Sequence, residues 1–142
     1  MVSMIVGNRG TGKTKKLIDQ VRKASERSDG NVVCIERGKA LRANISYHVR
    51  HIDIKEYNIS GEDRYYGFLA GLLAGNYDIT DIFCDATFKI LCGKDQRDFD
   101  DLTKFVDDLN ALAGGLKINI VLSVSCDQTE LPERLRAFIQ KS

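Results

Sequence analysis

Four things are scarce in these 142 residues, and each removes a class of function. No apolar run approaches the roughly 20 residues needed to cross a bilayer, so no membrane span is expected. The first apolar run, residues 3–6, ends five residues after Met1, so no signal peptide is expected. The formal net charge is +1, so a broad electrostatic attraction to nucleic acid or anionic membranes is not indicated. The four cysteines, Cys34, Cys84, Cys92 and Cys126, form no CxxC pair. They read as free thiols of a reducing compartment rather than a disulfide framework or zinc site. A soluble, cytoplasmic protein is the expectation.

What is present is an ordinary globular composition, 43% hydrophobic and 29% charged, without an internal repeat or low-complexity linker. The length predicts a single domain over residues 1–142. Short apolar runs alternate with helical patterns. Strands are predicted over residues 3–6, 31–36, 79–85 and 118–124, with a more alternating edge strand over 50–57. A helix over 15–25 carries Leu17, Ile18, Val21 and Ala24 at helical spacing, and a short helix is predicted over 40–47. Ser60 and Asp63 stand at capping-box spacing before a nearly all-apolar helix ending at Gly75. An amphipathic helix over 98–113 is expected to stop at Gly114 and Gly115. A last helix begins near Glu130, capped by Thr129, with Pro132 in its first turn. Five strands alternating with helices predict an α/β three-layer sandwich around a mainly parallel sheet, with ligands beyond the strands' carboxyl ends.

Residues 7–14, Gly7-Asn8-Arg9-Gly10-Thr11-Gly12-Lys13-Thr14, satisfy GxxxxGK[ST] at every fixed position, between a predicted strand and a predicted helix. The glycines allow backbone angles closed to other residues, so amide N–H groups can turn inward on phosphates. The helix start adds the positive end of its dipole. Lys13 is long enough to reach the outer phosphates, and the Thr14 hydroxyl suits a Mg²⁺ ion.

On this loop the chain resembles the P-loop NTPases, and its GxxGxGKT form is similar to the AAA+, RecA-like and secretion-motor (ASCE-type) group. The resemblance implies ATP and Mg²⁺ as ligands, with Lys13 as the phosphate-binding lysine and Thr14 as a metal ligand. It also implies an acidic residue at the end of an apolar strand. Asp81-Ile82-Phe83-Cys84-Asp85 fits that pattern and makes Asp85 the second metal ligand, with Asp53 and Asp127 as weaker substitutes. Hydrolytic members usually place Glu next, whereas this chain has Ala86 and Thr87. Without a general base, water attack loses roughly 10²–10⁴-fold. Thr87 could orient water, and Glu36 at the end of the second strand is the candidate substitute base. Ser125 falls where related proteins keep a polar sensor near the terminal phosphate.

Charge is unevenly placed. From Arg37 to His51 the chain carries Arg37, Lys39, Arg42, Arg50 and both histidines, with no acid. From Asp95 to Asp108 it carries Asp95, Asp98, Asp100, Asp101, Asp107 and Asp108. These are either solvated faces or complementary patches for a protein partner or head-to-tail oligomer. Such an assembly would bring Arg42 or Arg50 to a neighbour's nucleotide, while Arg9 offers a phosphate contact in cis. His48 and His51 have no nearby cysteine and make no zinc site.

The leading expectation is an ATP- and Mg²⁺-binding protein with weak or partner-stimulated ATPase activity. ATP is favoured over GTP because no NKxD-type guanine motif is present. One alternative is a small nucleoside or nucleotide kinase with residues 37–50 as an arginine-bearing lid. The other is a non-hydrolysing nucleotide sensor. The C-terminal extension that larger motors use as a lid is missing, so a fully equipped AAA+ machine is not expected.

Overall fold

A computed structural model describes residues 1–93 and 96–141. Its core is a five-stranded, all-parallel sheet in the order β1-β5-β4-β2-β3. The strands are β1 (Val2–Gly7), β2 (Asn31–Glu36), β3 (Arg50–Asp53), β4 (Ile79–Cys84) and β5 (Asn119–Ser125). The helices are α1 (Lys13–Arg27), α2 (Glu62–Gly75), α3 (Thr87–Leu91), α4 (Phe99–Leu116) and α5 (Glu133–Arg136). No helix among the described residues is long and apolar enough to cross a membrane.

Period-2 alternation along the central strands sends side chains to two cores. On one face Ile5, Val32, Cys34, Phe83 and Val121 meet Leu17, Val21 and Ala24 of α1. On the other, Met4, Val33, Ile35, Ile82, Ile120 and Leu122 meet α2, α3 and α4. Tyr65 of α2 stacks on Phe105 of α4 with ring centroids 4.8 Å apart. Helices on both faces of a parallel sheet make the expected three layers. Cys34, Cys84, Cys92 and Cys126 are all free thiols.

The chain leaves β1 over α1, then returns through β4 and β5, so the carboxyl ends of β1, β5 and β4 lie side by side. Gly7 pairs in register with Ser125, and Cys84 with Leu122. The outer edge of β1 is partly covered by the C-terminal segment. Met4 N–H donates to Phe138 O and Gln140 N–H to Met4 O, both at 2.8 Å.

Several local expectations are corrected. The helix over 40–47 is one 3₁₀ turn, Arg42–Asn44. The edge strand stops at Asp53, whose carboxylate accepts the Lys55 N–H and starts a 3₁₀ turn at Ile54–Tyr57. The capping box of Ser60 and Asp63 does not form: Gly61 is the N-cap, and Lys104 of α4 binds Glu62 and Asp63 at 2.7 and 2.9 Å. Helix α4 runs through Gly114 and Gly115 to Leu116 and ends at Lys117, at φ 56°. Near the C-terminus, Asp127 rather than Thr129 is the cap, over a 3₁₀ turn at Gln128–Glu130, and Pro132 is the N-cap of α5. Asp95 lies outside the described residues.

Candidate functional site

Residues 8–12 bridge the end of β1 and the start of α1. Gly10 and Gly12 adopt φ +81° and +83°, a region that side chains other than glycine rarely enter. Gly7 is required for space instead: a Cβ there would lie 2.4 Å from Thr11 Oγ1. The loop braces itself on one carbonyl. Asn8 O accepts the Thr11 N–H at 3.2 Å, the Thr11 hydroxyl at 2.6 Å and the Lys13 ammonium at 3.0 Å. Lys13 is partly sunk into the protein, and this burial lowers its pKa against the opposing pull of Asp85.

Asp85 follows β4 and is fixed from two sides. Its N–H donates to Ile35 O at 2.9 Å, and its Oδ1 accepts the Ser123 hydroxyl at 2.6 Å. Ser123 Oγ in turn accepts the Ala86 N–H at 2.7 Å. Ala86 sits at φ 48°, turning the chain sharply into α3.

A cleft of about 820 Å³ opens over these strand ends. Asn8, Arg9, Gly10, Gly12, Lys13 and Thr14 line one side, with Asp85, Ala86, Ser123 and Ser125 on its floor. The wall beyond Ala86 is Phe88, Lys89, Gly93, Gln96 and Arg97. Lys13, Thr14, Asp85 and Ser125, predicted as site residues, therefore share one cavity, as do most residues of the loop. Asp85 is its one carboxylate among the described lining residues, against the cations Arg9, Lys13, Lys89 and Arg97.

Glu36 is elsewhere. Its carboxylate is buried between the Leu41 N–H at 2.9 Å and His51 Nε2 at 2.6 Å, and it does not line the cleft. Thr87 is wholly buried, with its hydroxyl unpartnered. Asp53 accepts from Gly38 and Lys55 N–H groups, and Asp127 from Thr129, so both are spent on turns. Arg37, Arg42 and Arg50 do not line the cleft either. Part of the acidic helix face is neutralised within the chain, Asp107 by Arg134 at 2.8 Å and Asp108 by Lys104 at 3.7 Å.

Three contributors escaped the sequence reading. Ser123 carried a signal, a lone polar residue inside an apolar strand and two positions from Ser125, hence on the same face. Lys89 and Arg97 carried none, because only the turn at Ala86 brings their segment over the cleft.

The residues present suit a small hard cation. Thr14 and Asp85 offer oxygen donors only, and Mg²⁺ typically takes one or two protein oxygens, completing its shell with water and substrate phosphate. No cluster of three or more His, Cys, Asp or Glu that would hold a metal by protein ligands alone exists among the described residues. No protein-family model matches this chain, and no curated protein matches it.

Proposed function

We propose that this chain is a P-loop protein that binds a nucleoside triphosphate with Mg²⁺, ATP being the nucleotide expected, and turns it over slowly or only with a partner. The observation that carries the reading is the loop at residues 7–14. It combines GxxxxGKT with two left-handed glycines between a buried strand and α1, on a cleft shared with Asp85. Backbone N–H groups and the start of α1 would hold the phosphates, and Lys13 would neutralise the outer ones. Thr14 and Asp85 would hold Mg²⁺, which when bound screens the charge between the outer phosphates. The cleft volume of about 820 Å³ lies within the usual range for small-molecule sites, roughly 300–1,000 Å³.

One observation favours the non-hydrolysing sensor as a second reading. Asp85 is the one carboxylate lining the cleft among the described residues, and Ala86 follows it. Among the described residues, the cleft wall then offers no further carboxylate to activate water. The kinase reading loses its lid, since Arg37, Arg42 and Arg50 are not at the cleft. A neighbour's Arg42 or Arg50 remains available to a head-to-tail oligomer, which solution mass measured with Mg²⁺ and nucleotide would detect.

Calorimetric titration with ATP, GTP and ADP, with and without Mg²⁺, tests the reading. Lys13→Ala should weaken ATP and ADP alike by more than about tenfold, the loss of one charge-assisted contact. Wild-type protein that binds no nucleotide, or binding indifferent to Lys13→Ala, would overturn it. Phosphate release without an acceptor separates the ATPase from the sensor.

A further inference from the structure

Arg97 has two environments open to it. It lines the cleft together with Lys13, and its Nη1 also donates to Glu130 Oε1 at 3.1 Å. Glu130 itself does not line the cleft.

The tether to Glu130 is weak by construction. Both side chains are substantially exposed, 43% and 37%, and such pairs contribute little in water. The contact also falls on an oxygen already in use, since Glu130 Oε1 accepts the Asp127 N–H at 2.9 Å in the capping box of that turn. Glu130 therefore keeps its structural partner when Arg97 departs. The Arg97 guanidinium stands 6.0 Å from the Phe99 ring, at the outer limit of a cation–π contact, which leaves it little else to lose. A phosphate offers more, namely a dianionic partner with geometry matched to two parallel guanidinium bonds.

We propose that Arg97 is a latch for the terminal phosphate: parked on Glu130 in the empty protein, it swings into the cleft when a triphosphate binds, so the site distinguishes triphosphate from diphosphate. This rests on the nucleotide-binding reading above. The loop amides take the inner phosphates, so the terminal one projects into the space that Arg97 lines. A diphosphate ends short of that space and leaves the latch on Glu130.

The test compares ATP and ADP affinities, with Mg²⁺, for wild type, Arg97→Ala and Glu130→Gln. Arg97→Ala should weaken ATP about tenfold, the loss of a charge-assisted contact, and leave ADP within about twofold. Retained ADP binding also shows that the variant is folded. Glu130→Gln keeps an acceptor oxygen for the Asp127 N–H but drops the charge holding Arg97, so it should tighten ATP by about threefold and leave ADP unchanged. Equal losses for ATP and ADP in Arg97→Ala, no loss for either, or no gain in Glu130→Gln would each refute the latch while leaving the loop reading intact. Wild-type protein that binds neither nucleotide would remove both.

Discussion

Ser123→Ala is the perturbation that separates a built acidic site from a strand that merely ends in Asp. Ser123 is 1% exposed and its hydroxyl makes two bonds, donating to Asp85 Oδ1 and accepting from Ala86 N–H. Removing it strands an amide donor and takes a donor from a carboxylate. Each loss costs roughly 1–3 kcal/mol when nothing replaces it. Replacement is partial here, because Asp85 and Ala86 are only half-buried and border the cleft, where water can enter. The net destabilisation expected is about 2 kcal/mol, toward the low end of the summed range. An unfolding entropy of about 2.1 cal/mol/K per residue gives this chain about 0.3 kcal/mol per degree, so Tm should fall by roughly 7 °C.

Ser125→Ala, one step along the same face, should stay within about 0.5 kcal/mol and serves as the control. Nucleotide binding supplies a second readout. Ser123 orients a proposed metal ligand, and loss of such an outer partner typically costs about 10–100-fold in metal affinity. Ser123→Ala should therefore raise the Mg²⁺ concentration needed for nucleotide binding by at least tenfold, while Asp85→Asn combined with Ser123→Ala should cost far less than the sum of the two. If Ser123→Ala unfolds like Ser125→Ala and needs no more Mg²⁺ than wild type, the Ser123–Asp85 bond does not hold the site together.

Two glycine substitutions and one titration extend the reasoning. Gly7→Ala places a methyl 2.4 Å from Thr11 Oγ1 and must break the brace on Asn8 O, so nucleotide affinity measured by calorimetry should fall at least about tenfold; wild-type affinity would contradict the loop packing. Gly30→Ala drives a methyl to 2.1 Å from the Asp78 carbonyl that accepts the Asn31 N–H, and denaturant unfolding should show a loss of about 3 kcal/mol with no direct effect on the cleft. In the turn at Gln128–Glu130, Asp127 is held below the usual carboxylate range by the Thr129 N–H and hydroxyl, and Glu130 by the Asp127 N–H and Arg97. Because the folded values are the depressed ones, this stabilisation is present above the unfolded values of about 4 and is lost as pH falls through the folded ones. Hydrogen exchange at Thr129 and Glu130 should accelerate relative to the core strands in that acid window; protection unchanged down to pH 2 would refute it.

The sheet was legible because its signal is dense. The apolar runs around Val33, Phe83 and Val121 are too continuous for amphipathic helices, and the loop glycines fix where the first crossover begins. Asp85 was legible for the same reason, as a polar residue ending such a run. The failures are long-range. Lys104 captures Glu62 and Asp63 from 42 and 41 positions away, and the local capping box does not form. Glu36 looked like a free strand-end acid, but the pairing of β2 with β3 brings His51 against it. Gly114 and Gly115 looked like a stop, yet packing of buried Leu109 and Ala113 carries α4 past a helix-propensity cost of roughly 1 kcal/mol per glycine. Helix α3, five residues long, is shorter than any window in which a helical period can be counted.

The position after Asp85 shows why binding and turnover come apart in the proposed reading. Ala86 does not merely lack a carboxylate. Its N–H is bound to Ser123, its backbone is left-handed at φ 48°, and it delivers Thr87 into the core at 0% exposure. A glutamate there would carry a longer side chain on a backbone already costing roughly 1 kcal/mol for any L-residue. Its carboxylate would enter a cleft whose described lining includes the cations Arg9, Lys13, Lys89 and Arg97, and would be drawn to pair with that positive wall. Paired in that way it would accept protons poorly, since a neighbouring cation lowers a carboxylate's pKa. The lack of a base at position 86 therefore belongs to the whole arrangement of the turn and its cationic walls rather than to one missing residue. In the proposed reading, four cations against one carboxylate among the described lining residues suit a cleft that grips a polyanion, and none of those lining residues besides Asp85 offers a carboxylate base for rapid hydrolysis.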